Sequence, residues 1–120
     1  MLDPEKVVNL NEIVASVGNR AGVIWALKAS GDLNANLVRF EAGLGVGTHV
    51  NDEVDVLVVG VSGSGFVEVD GEEHTLGPGI LVFVPRGTRR STRSATSDFA
   101  YLTIHRRRGP VRIGVKGWRV

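Results

Sequence analysis

The sequence predicts an all-β fold, and three features predict it. Glycine is abundant, 16 of 120 residues, and falls between short apolar runs, where a chain turns tightly or adopts positive φ. The runs themselves are strand-sized, and only one segment shows helical periodicity. Turn signals recur at the spacing of a sandwich, jelly roll or barrel rather than of a parallel α/β sheet.

The elements follow in order. Leu10 to Val17, LNEIVASV, reads as a helix of one or two turns, with Asn11 as candidate N-cap and Ile13, Val14 and Val17 at helical spacing. Strands are predicted at Val23 to Lys28 and, after the Ser30-Gly31-Asp32 turn, at Asn34 to Phe40. Asp55 to Val61 leads through Ser62-Gly63-Ser64-Gly65 into Phe66 to Asp70, which alternates Val67 and Val69 against Glu68 and Asp70, the pattern of a strand with one wet face. Gly71-Glu72 turns the chain, Gly77-Pro78-Gly79 precedes the run Ile80 to Val84, and Phe99 to His105 and Val111 to Val115 complete the set. In the strand after Asp55, Leu57 and Val59 share one face and Val56 and Val58 the other. Both faces need cover, one from the interior and one from the N-terminal segment or another subunit, so a homodimer is expected.

Composition narrows the chemistry. The absence of cysteine removes disulfides, thiolate metal sites and cysteine nucleophiles. No apolar run approaches the roughly 20 residues of a membrane-spanning helix, and MLDPEKVV lacks the pattern of a secretory signal, so a cytoplasmic location is expected. The net charge of +1 conceals an asymmetry: residues 1–85 carry 4 Lys/Arg against 12 Asp/Glu, a net −8, and residues 86–120 carry 10 against 1, a net +9. Six basic residues crowd the last 15, from Arg106-Arg107-Arg108 through Arg112 and Lys116 to Arg119, with no acidic one. Such a run suits a basic-surfaced interaction module or nucleic-acid binding. Without interleaved aromatics, Trp118 excepted, the favoured reading is a tail lying over the acidic remainder, with nucleic acid not expected as a partner. Phosphate loops, dinucleotide fingerprints and nucleophile elbows are missing, and Gly43-Leu44-Gly45-Val46-Gly47 has glycines at the wrong interval for any of them.

From Gly43 the chain runs GLGVGTHVNDEVDVLVVGVSGSG, and from Gly79 GILVFVPRGTRRSTRS. These two stretches resemble the paired motifs of the cupin family, in particular small single-domain barrels of the cupin 2 type. Gly43, His49, Gly79, Pro85 and Gly87 fall where that pattern expects them, and VSGSGFVEVDGEEHTLGPG is similar to its connecting hairpin. The resemblance covers about residues 33–105. It implies a double-stranded β-helix, or jelly-roll barrel, in one domain over 1–120, with 1–32 and 106–120 as extensions.

The resemblance also implies a metal site, here degenerate. Relatives bind Fe, Mn, Ni or Zn through two His and a Glu of the first motif and a His of the second, and those places hold His49, Asn51, Asp55 and Arg90. Asn is a poor transition-metal ligand, Asp is one methylene short, and a guanidinium is always protonated and has no lone pair for a metal. No cofactor is therefore expected. If the chain is extended over 49–55, then His49, Asn51, Glu53 and Asp55 point to one side, where Arg90 could pair with a carboxylate or face an anionic ligand. The expected function is binding of a small polar or anionic molecule in the barrel through His49, Asn51, Glu53, Asp55 and Arg90. The alternative is an oxygenase or isomerase using a divalent metal held by His49 with Asp55 or Glu53.

Tyr101, Thr103 and His105 alternate with Ala100, Leu102 and Ile104. If their face looks inward, Tyr101 and His105 are pocket residues and a candidate acid/base pair; if outward, they are surface residues. His74, beside two carboxylates in EEHTLGPG, reads as a solvated hairpin residue, and Trp25 and Trp118 as packing side chains or pocket walls.

Overall fold

The computed structural model describes residues 6–107. Among these residues nine strands form two antiparallel sheets behind one short helix. Helix α1 (Leu10–Ser16) is followed by β1 (Gly22–Ala26), β2 (Leu33–Phe40), β3 (His49–Val50), β4 (Val56–Ser62), β5 (Gly65–Val69), β6 (Glu72–Leu76), β7 (Leu81–Val84), β8 (Arg89–Ser94) and β9 (Phe99–Arg106). One sheet has the order β1-β2-β9-β4-β7 and the other β3-β8-β5-β6, so the chain crosses repeatedly between sheets, as a jelly roll requires.

Alternation explains which side chains meet. Between the sheets Val38, Val56, Val58, Val67, Val84 and Phe99 are buried with Val54, Leu76 and Tyr101, each large apolar side chain adding about 1.5–3 kcal/mol relative to exposure. The opposite face of the five-stranded sheet carries Leu37 and Ala100, which with Ile24 are covered by Leu10, Ile13, Val14 and Val17 of the helical segment and by Trp25. The N-terminal segment thus supplies part of the second cover that the doubly apolar β4 demands. It stops short of the β7 edge, where Leu57, Leu81 and Phe83 remain exposed. Leu57 pairs with Phe83, and Val59 with Leu81, so the exposed apolar side chains are contiguous.

Two glycines are dictated by close approach. A Cβ on Gly60 would lie 1.9 Å from the carbonyl oxygen of Gly77, and one on Gly45 would lie 2.0 Å from that of Thr92. Asp70 and Gly71 form the two-residue loop between β5 and β6, both at positive φ, as a type I′ hairpin needs.

Several expectations change. The helix is capped by Asn9, whose side chain accepts from the Glu12 N–H at 3.1 Å, two residues earlier than Asn11. Asp55 lies outside β4, and the β5–β6 turn is Asp70-Gly71 rather than Gly71-Glu72. Strands β3, β6 and β8 had no hydrophobic signal: EEHTL and RRSTRS are almost wholly polar. The predicted strand Val111 to Val115, Trp118 and the basic residues from Arg108 onward lie outside the described residues. Arg106 and Arg107 donate to the carbonyls of Glu53 and Ser30, at 2.8 and 2.7 Å. Among the described residues no helix is long and apolar enough to cross a membrane.

Candidate functional site

Between the two sheets lies a cavity of about 440 Å³. Its walls are mostly apolar: Val38 and Phe40 from β2, Val56 and Val58 from β4, Val67 from β5 and Val84 from β7. The polar groups fall along two strands. On β9, Tyr101, Thr103 and His105 project inward, so the polar face of that strand is the interior one. On β8 the inward residues include Arg90 and Thr92. Asn36 of β2, opposite Thr103, adds an amide. No Asp or Glu occurs among the described residues that line the cavity.

His49 reaches this wall through a break in strand regularity. Val46 and Thr92 exchange reciprocal backbone hydrogen bonds of 3.1 and 3.0 Å, and His49 is the register partner of Arg90. Three residues on one strand thus match two on the other, a bulge that brings both Val46 and His49 to the cavity despite their opposite parity. The Arg90 Nε–H donates to His49 Nε2 at 3.2 Å, and His49 Nδ1 lies 2.8 Å from the Gly47 carbonyl oxygen. Both contacts are satisfied together by the neutral tautomer with its proton on Nδ1. The imidazole lone pair is then directed at a guanidinium.

Deeper in, the Tyr101 hydroxyl is 2.9 Å from Thr92 Oγ1, and Thr92 Oγ1 also accepts the Val46 N–H at 3.2 Å. Tyr101 is 3% exposed and stacks obliquely on Phe99, centroids 5.3 Å apart. Burial pushes its phenol above the ordinary value of 10.0, against smaller opposing effects of the Thr92 hydrogen bond and the Arg90 charge. It is therefore a hydrogen-bonding group at neutral pH, not a base. His105 lines the same cavity, with Nδ1 2.8 Å from the Arg106 carbonyl oxygen.

The other three residues expected on this wall are elsewhere. Strand β3 ends at Val50, and residues 51–54 turn, so the parity that grouped Asn51, Glu53 and Asp55 with His49 does not apply. None of the three lines the cavity. Asn51 is buried and closes the turn: its Oδ1 accepts the N–H groups of Glu53 at 2.9 Å and Val54 at 3.4 Å, while its Nδ2 has no hydrogen-bond partner among the described residues. Asp55 is exposed and accepts the Arg86 N–H at 2.8 Å, and no ion pair joins it to Arg90 among the described residues. His74 is exposed on β6, and Trp25 packs against the helical segment. Thr92, Thr103 and Asn36 escaped the sequence reading. The alternation of Thr103 with Leu102 and Ile104 carried a signal for that residue, and nothing comparable marked Thr92 on β8 or Asn36 on β2.

A family profile for the cupin domain matches residues 36–105, more than half of the chain. The chain belongs to the cupin family. Among solved structures, this cupin is similar to KdgF from a Halomonas species, at 25% identity and TM-score 0.66 over 71% of this chain and 77% of that one. It is also similar to a cupin protein from Bacteroides fragilis, at 26% identity and TM-score 0.59 over 76% and 75%. A cupin-2 domain protein from Shewanella frigidimarina shares the fold at 19% identity and TM-score 0.69 over 85% and 96%. Among curated proteins, none matches.

The family's usual metal can be tested against these side chains, and the donor set does not fit. Of the four expected positions, His49 has its Nε2 lone pair engaged by Arg90, Asn51 is consumed by its own turn, Asp55 points to the Arg86 backbone, and Arg90 offers a positive charge. No group of three His, Cys, Asp or Glu able to hold an ion occurs among the described residues.

Proposed function

We propose that this cupin binds a small polar or anionic molecule in its barrel cavity without the divalent ion of its relatives. The observation that carries the reading is an apolar cavity between the sheets whose polar side chains, Arg90, Thr92, Tyr101, Thr103 and Asn36, gather on its wall. A guanidinium is a permanent charge with a fork of N–H donors, so an anion beside it gains Coulomb energy and charge-assisted hydrogen bonds. Tyr101, Thr92, Thr103 and Asn36 add neutral polar contacts that orient a guest, as in most small-molecule sites.

Protein purified without a histidine tag should carry far less than one equivalent of Fe, Mn, Ni or Zn by elemental analysis. Small anions should bind by calorimetry, and Arg90→Gln should weaken them by about tenfold or more. Near-stoichiometric metal that disappears in His49→Ala would overturn the reading in favour of a metal-dependent enzyme.

A further inference from the structure

We propose that the hydroxyl pair of Tyr101 and Thr92 holds a carbonyl oxygen of the guest, so that the cavity takes a carbonyl group carried on a hydrocarbon body. The inference rests on the small-molecule reading above and names the group bound at one place in that cavity.

The pair joins the two sheets across the interior. Tyr101 stands on β9 and Thr92 on β8, and their hydroxyl oxygens are 2.9 Å apart. Sheet register puts Val38 and Gly60 on either side of Tyr101. Val67 lies on one side of Thr92, and Val46, which exchanges backbone hydrogen bonds with it, on the other. The flanking positions therefore carry no polar side chain that could compete for these hydroxyls.

A proton count shows what the pair lacks. The two hydroxyls hold two protons, and their mutual hydrogen bond uses one of them. If Tyr101 donates, Thr92 Oγ1 accepts both that bond and the Val46 N–H, and the threonine proton is left over. If Thr92 donates, the phenol proton is left over. In either case the surplus proton has no acceptor among the described residues. Tyr101 is 3% exposed, and an unmet donor in such a place costs free energy that an incoming acceptor returns.

One surplus proton calls for one acceptor atom that brings no proton of its own. A carbonyl oxygen meets that condition, whereas an alcohol adds a further proton and renews the surplus. The body that carries the oxygen lies against Val56, Val58, Val84 and Phe40. A sugar or other polyol would press several hydroxyls on these groups, and each would lose hydrogen bonds to water with nothing to replace them. A hydrocarbon body loses nothing there and gains burial. The volume, about 440 Å³, lies toward the lower end of small-molecule sites, which run from about 300 to 1,000 Å³.

The test uses the full chain in NMR titrations with two probes: cyclohexanone, labelled with carbon-13 at the carbonyl, and methylenecyclohexane, which has a methylene group in place of the oxygen. In the parent protein the bound carbonyl resonance should lie downfield of its position in hydrocarbon solvent. In the double variant Tyr101→Phe/Thr92→Val it should fall to that position, and the ratio of ketone to alkene affinity should drop about tenfold. Each single variant keeps one hydroxyl proton and should hold the parent ratio to within about threefold. A hydrocarbon-like carbonyl in the parent protein, or an unchanged ratio in the double variant, would overturn the carbonyl assignment and leave small-molecule binding standing. The parent spectrum decides the matter even if the double variant does not fold. Should the ketone, the alkene and small anions all fail to bind, both readings fall.

Discussion

Arg90 Nε–H points at His49 Nε2 from 3.2 Å, and the other ring nitrogen of His49 lies 2.8 Å from the Gly47 carbonyl oxygen. The arginine thus occupies, with a proton, the lone pair that a metal would need. Replacing it should release that lone pair. Arg90→His places a second imidazole on the strand position that pairs with position 49. We expect this variant to bind Zn or Ni measurably by calorimetry, with the parent protein silent and His49→Ala/Arg90→His silent again. Equal binding by the parent protein would contradict the assignment of the His49 lone pair to Arg90.

Asn51 is a structural residue. Its side chain holds the N–H groups of Glu53 and Val54, and Val54 is 1% exposed, so truncation strands a buried donor. Asn51→Ala should cost about 1–3 kcal/mol, read as a lower urea midpoint with an unchanged slope. Asn51→His, which restores the family's residue, should also destabilise and bring no metal, because the side chain belongs to the turn and not to the cavity.

Tyr101 is the chain's single tyrosine, so phenolate absorbance reports on it alone. Burial holds its folded-state value above 10.0, where the unfolded chain would titrate. The folded protein therefore binds this proton more tightly. Its contribution to stability is complete below about pH 10 and drains away as pH rises through the folded value. The phenolate signal should appear at higher pH in folded than in urea-unfolded protein, and Tyr101→Phe should lose less stability over the alkaline range than the parent.

On the outer face of the five-stranded sheet, Leu81 and Phe83 are 54% and 53% exposed, beside Leu57. The helical segment packs over Ile24, Leu37, Ala100 and Val61 and leaves the β7 edge of that face open. For contiguous apolar surface of this kind a second copy is the occupant expected from the sequence. Sedimentation equilibrium should show a dimer that Phe83→Asp converts to a monomer with an unchanged circular dichroism spectrum. A monomeric parent protein would remove this expectation.

The fold was legible because its signals are local. Paired turns such as Ser62-Gly63-Ser64-Gly65, alternation in β5 and β9, and the motif residues Gly43, His49, Gly79, Pro85 and Gly87 all lie within a few positions of what they determine. The site was only half legible. His49, Arg90, Tyr101 and His105 do line the cavity, whereas Asn51, Glu53 and Asp55 do not. Counting alternate residues from His49 assumes an unbroken strand, and a bulge before His49 with a turn after Val50 breaks it twice. Strand β8 was hidden for a related reason. Hydrophobic period finds strands whose inner face is apolar, and here that face carries Arg90 and Thr92 because it borders a polar part of the cavity.

Strand β3 consists of two residues on the margin of its sheet, held there by β8 alone. His49, which lines the cavity, thus stands on an element with only two register pairs. Deuterium should reach the amides of this short margin well before those of β9, which has a neighbour on each side. The imidazole that accepts from Arg90 therefore sits on the strand of this sheet with the fewest ladder bonds to hold it.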